Sequence, residues 1–516
     1  MVTLSALVVV ETYVVPGGFG SSAGTGEGHA KGLPGTSGQG VGLGVTATGG
    51  CEAGDCWADP PLEPEQAETR SRHRARAGVR EVISLPRIRA WEDERVSWTA
   101  PRPHASLDAV VTLPGSKSLT NRALVLAALA DGRSVVRRPL RSRDTELMAD
   151  ALRVLGVPVA DDGDDWVVDG VPGPLTPTGT AIDVGNAGTV ARFVPAVAGL
   201  ARGSISFDGD PRVRERPLAP VLQALAALGV SLSSLDRLPT TVNGTGSVRG
   251  GAVTVDASQS SQFVSGLLLA APRFDEGVAV QHEGTRLPSV PHLEMTVDAL
   301  RASGATVDDT VPGLWRVAPG PLLPRDAAVE PDLSTAAAYL AAPLVVGGSV
   351  TVEGWPLGTR QPGAVLPDLL EQMGGVVTRT ATSVTVSAGD RLVGIEADLA
   401  DAPELTMVLT ALAALASTPS RFWGVAHIRV QETDRLKALA TEINSIGGDV
   451  DEADDGLTVR PTPLRGGLLS SYDDHRIAMA WAVLGLAVDG IQVDDIATTR
   501  KTVPDFVGSW TSLLGG

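Results

Sequence analysis

Cysteine is almost missing from this chain. Cys51 and Cys56 are the only two in 516 residues. A disulfide framework is therefore excluded, and no thiol is present beyond residue 56. The pair makes at most a weak metal half-site, because no second Cys/His pair lies beside it. The seven His are scattered, and no metal-ligating cluster is expected. His475, in a "DDHR" stretch, reads as a residue that orients its loop. No apolar run reaches transmembrane length. The short run "LSALVVV" is followed by Glu11 and lacks a basic leader, which argues against a signal peptide. Positive charge is also in deficit: 42 basic against 60 acidic residues give a net charge of −18. That balance disfavours nucleic acid and anionic lipid as partners. An anionic substrate would have to be held by local cations against a repulsive background. The expectation is a cytoplasmic monomer with no cofactor, no metal and no membrane segment.

Residues 1–95 differ from the rest. They hold a Gly/Ser/Thr-rich stretch and the basic run "RSRHRAR", with few residues able to form a core. A disordered tail is expected there. From about residue 100 a unit recurs. Its marker is an amphipathic helix ending in glycine, followed by a strand. The glycines are Gly156, Gly229, Gly304, Gly374, Gly447 and Gly515, spaced 68–75 residues apart. Glycine after a helix fits the left-handed cap position. The period is too long for a solenoid repeat and suits a βαβ-type supersecondary unit.

Each marker helix is preceded by a second helix that is apolar around most of its circumference and should be buried. Most of these begin with Ser, Thr, Asn or Asp, as capping requires. The cations Lys117, Arg122 and Arg476, with Gln262, cluster at the same ends. Capping does not explain them. A helix start favours anions through free N–H groups and the positive end of the macrodipole. Six starts turned inward would make one anion pocket. The stretch "LPGSKSLTNR" is not a phosphate-binding Walker loop, because Ser116 replaces the glycine before the lysine and the upstream glycine is missing.

Seven stretches, "LPGSKSLTNRALVLAALA", "GNAGTVARF", "DGDPRVRERPL", "SSQFVSGLLLAAP", "QETDRLKAL", "YDDHRIAMA" and "TTRKTVPDF", resemble signatures of the enolpyruvyl transferase family, in particular its EPSP synthase branch. They stand in the family's order and cover roughly residues 100–516. The resemblance implies an α/β fold of two similar domains, each of three βαβαββ units in an inside-out barrel. One domain would be 96–114 plus 329–516 and the other 115–328, with the site in a cleft that closes on the substrates.

The implied reaction moves the enolpyruvyl group of phosphoenolpyruvate to the 5-hydroxyl of shikimate 3-phosphate and releases phosphate. Two multiply charged anions need fixed cations, and Arg suits both phosphate and carboxylate. By motif, Lys117, Gly188, Arg212, Gln262, Arg435, Arg476 and Lys501 resemble the phosphoenolpyruvate contacts. Ser118, Arg122, Ser260, Ser261, Gln262, Ser289, Glu404, His427 and Gln431 resemble the contacts to shikimate 3-phosphate. Glu404 occupies the family's base position, usually Asp. Glu432 is a second carboxylate, and Lys117 is a candidate acid. Arg214, Arg216 and Arg500 read as solvated neighbours. Gln431 stands where the family often has Lys or His, and His292 where some relatives have Tyr. Around Gln361, Ala364 and Val365 replace an expected acid and base. The family also implies inhibition by glyphosate in the donor site. Two alternatives are a non-catalytic phosphometabolite binder on this scaffold and the related transferase acting on UDP-N-acetylglucosamine. The second typically uses a loop cysteine, which the repeated region lacks.

Overall fold

The computed structural model describes residues 95–103 and 105–515, together with the backbone of Val82 and Ile83. Cys51, Cys56 and nearly all of the expected tail lie outside the described residues. Within that region Val82–Ile83 pairs in parallel with Val110–Val111.

Among the described residues twelve α-helices alternate in role. The odd-numbered helices are α1 (Lys117–Leu129), α3 (Gly188–Ala198), α5 (Gln262–Ala270), α7 (Ala336–Val346), α9 (Thr406–Leu415) and α11 (His475–Gly485). They are apolar on nearly every face and are buried accordingly. In α9, for example, Thr406–Ala414 are all buried. The even-numbered helices are α2 (Arg143–Val154), α4 (Ala219–Ala227), α6 (Val290–Ala302), α8 (Leu366–Gln372), α10 (Arg435–Ser445) and α12 (Phe506–Leu513). These mostly bury one stripe. The marker glycines that follow them all have φ between 81° and 101°. Only glycine adopts that conformation without a Cβ penalty, so the spacing seen in the sequence marks true helix ends.

Each helix pair carries a small sheet, and among the described residues there are six. Five follow one order: a strand leads in parallel to the next, and a short antiparallel hairpin follows the outer helix. The sixth, after Gly467, has no hairpin of its own. Trp98–Thr99 supplies its antiparallel strand by pairing with Ile491–Val493. The first and fourth sheets each borrow a strand from across the chain. Asp326–Ala328 pairs with Arg133–Arg137, and Leu107–Thr112 pairs with Gly348–Glu353.

The buried side chains form two separate clusters. One draws on residues 100–113 and 333–514. The other runs from Leu124 to Val329. The chain passes between them twice, side by side, where Gly115 bridges Pro331 and Ser116 N donates to Glu330 O at 2.7 Å. A Cβ on Gly115 would lie 2.4 Å from the Arg138 carbonyl oxygen, so only glycine fits this crossing. The stretch around Gln361 is structural. Its amide donates to Glu330 Oε2 at 2.8 Å and to Pro331 O at 2.9 Å, and so braces the same crossing.

An aromatic cluster closes the terminal unit. Phe506 stacks on Trp510 at 5.3 Å, and Tyr339 meets Trp510 edge-on at 5.8 Å. Trp510 is fully buried. Trp510→Ala should lower unfolding free energy by about 3–5 kcal/mol, the usual result of emptying a large aromatic site. Chemical denaturation with an unchanged m-value is the check.

Candidate active site

The starts of three inner helices of the 124–329 cluster meet in one pocket. Lys117 and Ser118 come from α1, Gly188, Thr189 and Arg192 from α3, and Ser260, Ser261 and Gln262 from the entry to α5. From the facing cluster come Glu404 before α9, Arg435 at the start of α10, and His475 and Arg476 at the start of α11. His427, Gln431 and Glu432 add the loop before α10, and Ser289 and His292 the start of α6. Five of the six inner helices thus point their N-termini here. The sixth, α7, does not. Its entry is used by the crossing, where Asp332 accepts from Lys117 N at 3.2 Å and from Thr335 N at 3.0 Å.

The expected hydroxyl caps are mostly not made. At the starts of α1, α3, α5 and α9 the N-cap side chain makes no capping bond. Among the inner helices only α11 is capped this way, by Asp474 accepting from Arg476 N at 2.9 Å. The small polar residues therefore line the pocket instead of closing the helices, and the N-terminal ends of the dipoles face it.

Charge is balanced unevenly. Lys117 Nζ lies 3.2 Å from Asp144, and Lys501 Nζ lies 2.8 Å from Glu432 and 3.8 Å from Asp144. Arg435 pairs with Asp474 at 2.7 Å and with Glu432 at 3.2 Å. His475 Nδ1 is 3.1 Å from Glu432. Glu432, Asp474 and His475 lie close enough to resemble a metal site. Both carboxylates are already engaged by cations, so the group reads as a salt-bridge network. Burial would raise the pKa of Glu432, but Lys501, with Arg435, outweighs it and holds the carboxylate well below its usual range. His475 and His427 are both pushed down to about 4 by burial and are neutral at physiological pH.

Arg192 and Arg216 differ from these cations. Both are buried, and among the described residues neither forms a salt bridge. Arg192 donates to Gln262 Oε1 and to Pro217 O, and Arg216 donates to Asn186. The Nε of each has no partner. Burial, and for Arg192 also the neighbouring charge of Arg216, makes their charged forms costly. An anion in the pocket would relieve that cost. Both heads lie against Gly188, where an added Cβ would stand 2.6 Å from each.

Most of the residues expected from the motifs come together here, with three qualifications. Arg212 and Lys501 lie at the neighbouring mouth of the cleft. Arg212 Nε donates to Glu432 O at 3.1 Å, across the gap between the two clusters. Arg122 is turned away from the pocket. It donates to Thr296 Oγ1 at 2.8 Å, Ser118 O at 3.0 Å and His292 O at 2.8 Å, and burial lowers its pKa to about 9. Arg216, read from the sequence as solvated, is a pocket residue, whereas Arg214 is half exposed on Asp208 as expected. Arg192 and Asp144 were missed. Arg192 stands four residues after Gly188, on the same helical face, and that spacing could have found it. Asp144 opens α2 and carried no local signal.

These features have counterparts in known proteins. A model of the EPSP synthase (3-phosphoshikimate 1-carboxyvinyltransferase) family matches residues 101–510. The chain is 49% identical over 425 residues to the 3-phosphoshikimate 1-carboxyvinyltransferase of Mycobacterium ulcerans (strain Agy99), covering 81% of this chain and 98% of that protein. In fold it is similar to the EPSP synthase of Acinetobacter baumannii, with a TM-score of 0.67 at 24% identity, over 81% of this chain and 97% of that one. It is also similar to the enolpyruvyl transferase NikO of Streptomyces tendae, with a TM-score of 0.63 at 19% identity, over 80% and 96%. A match spanning the whole repeated region, with the signature residues gathered at shared helix starts, places the chain in the EPSP synthase family.

Proposed function

We propose that this chain transfers the enolpyruvyl group of phosphoenolpyruvate to the 5-hydroxyl of shikimate 3-phosphate, giving 5-enolpyruvylshikimate 3-phosphate and phosphate. One observation carries the reading: Arg192 and Arg216, buried cations that form no salt bridge among the described residues, share a pocket with Glu404 and open helix N-termini. A pure anion binder has no use for a carboxylate there. A carboxylate is needed to take a proton from a neutral hydroxyl. No cysteine lies among the described residues, which separates this site from the thiol-using relatives.

In this reading Lys117, Gly188, Arg212, Gln262, Arg435, Arg476 and Lys501 hold phosphoenolpyruvate. Arg192 and Arg216 back them. Ser118, Ser260, Ser261, Ser289, His427 and Gln431 hold shikimate 3-phosphate. Arg122 reaches the acceptor only by exchanging one of its three internal bonds. Glu404 takes the 5-hydroxyl proton as that oxygen bonds to C2 of the donor. The C3 methylene gains a proton from Lys117. Loss of a C3 proton, with Glu432 nearby, then expels phosphate. The two hydrophobic clusters act as domains, 96–114 plus 329–516 and 115–328, that close over both substrates. The enzyme works as a cytoplasmic monomer without metal or cofactor.

Phosphate release measured with both substrates, and with each omitted, tests the reaction directly. Release should require both, and release with phosphoenolpyruvate alone would overturn it. Glu404→Gln keeps shape and hydrogen bonding but not basicity. It should lower kcat by roughly 10²-fold or more, the scale of general-base catalysis, with acceptor affinity retained by calorimetry. Gly188→Ala must push both guanidinium heads aside. The donor Michaelis constant should rise about tenfold, as overpacking by one methyl costs about 1–3 kcal/mol. Glyphosate should compete with phosphoenolpyruvate and lose more affinity than the donor does, which paired inhibition constants would show.

A further inference from the structure

The base does not stand alone. His292 Nε2 lies 2.6 Å from Glu404 Oε1, and both side chains are nearly buried. The other oxygen, Oε2, is buried and has no hydrogen-bond partner. His427, which lines the same pocket, also has a buried, unpartnered Nε2.

His292 is held from two sides. It is the third residue of α6, and the residue that opens that helix, Ser289, has φ 54°, a left-handed conformation unusual for serine. That conformation lets Ser289 N donate to Ala400 O at 2.9 Å and Val290 N donate to Asp401 Oδ1 at 3.3 Å. Both acceptors belong to the loop that leads into Glu404. From behind, Arg122 donates to the His292 carbonyl at 2.8 Å and to Thr296, one turn further on, at 2.8 Å. A strained turn, two bonds across the cleft and a buried arginine thus fix one imidazole against one carboxylate oxygen.

Resting on the function proposed above, we infer that His292 is a positioning residue for the base. Its Nε2–H donates to Oε1 of Glu404 and leaves Oε2 as the oxygen that takes the acceptor proton. In the step itself, the O5–H bond of the acceptor breaks and its proton passes to Oε2. The O5 electron pair forms the bond to C2 of phosphoenolpyruvate, the C2–C3 π bond breaks, and its electron pair takes a proton from Lys117 at C3. With Oε1 occupied, rotation of the carboxylate is blocked and a single lone pair faces the hydroxyl.

The pH dependence follows from the groups around the pair. Burial alone would raise the pKa of Glu404, but His292, then Arg476 on α11, hold it well below the usual carboxylate range. His427 faces the pair from the loop before α10, with Arg435 beyond it, and Arg122 lies behind. Glu404 acts deprotonated. Removing His292 raises its pKa, so the acid limb of the kcat profile moves to higher pH.

The test uses His292→Ala and His292→Gln in the full chain, with His292→Phe as a second donor-free variant should the alanine protein unfold. His292→Ala or His292→Phe should lower kcat between about 10- and 100-fold, the scale of a misplaced reacting group, with acceptor affinity and melting temperature little changed. His292→Gln retains an N–H donor and should recover most of the rate. The acid limb should move up in the donor-free variants. In a Glu404→Gln background, His292→Ala should cause no further loss, because the two act as one unit. A change confined to the acceptor KM, an unmoved acid limb or multiplying losses in the double variant would overturn the inference alone. An active wild type shows that such a failure leaves the reaction intact. A wild type that releases no phosphate would overturn both.

Discussion

Positive charge held at the inward ends of buried helices is the constraint on which the rest of this molecule depends. Two unit charges about 4 Å apart interact by about 4 kcal/mol at an effective dielectric constant near 20. Gathering Lys117, Arg192, Arg216, Arg435, Arg476 and Lys501 around one cleft is therefore costly without counter-charge. Asp144, Glu432 and Asp474 neutralise part of it. Arg192 is left to polar neighbours, and among the described residues Arg216 hydrogen-bonds only to Asn186 while Glu432 and Asp144 act on it at longer range. The site is poised for anions in an otherwise acidic protein.

The helix alternation makes such a site possible. Inner helices apolar on every face can be buried whole, and a buried helix can aim its N-terminus at a point inside the molecule. The outer helices and small sheets then cover them. Because the units repeat nearly the same order, five of the six inner-helix starts converge, from both clusters. The two adjacent crossings at Gly115 and Pro331 keep the halves in register while leaving the cleft between them.

Across that cleft the contacts are few and polar. Arg212 meets the Glu432 carbonyl, Lys501 meets Asp144, and His292 meets Glu404. Every one of these joins a residue of one cluster to a residue of the other. Glu404 thus finds its hydrogen-bond partner on the opposite half of the molecule.

The six-unit architecture was legible in the sequence, because glycine after a helix and all-round apolarity are local properties written in consecutive residues. The motif residues at the helix starts were legible for the same reason. Three things were decided only by tertiary structure. Trp98–Thr99 completes a sheet nearly 400 residues away in sequence, and no local pattern announces a borrowed strand. Arg122 and Arg216 exchange their expected places, one turned to internal acceptors and the other buried in the pocket, because burial depends on which surfaces meet. The partners of two charged groups, Asp144 for Lys501 and His292 for Glu404, lie on different units. Electrostatic pairing acts through space over a few ångströms, and distance along the chain carries no record of it.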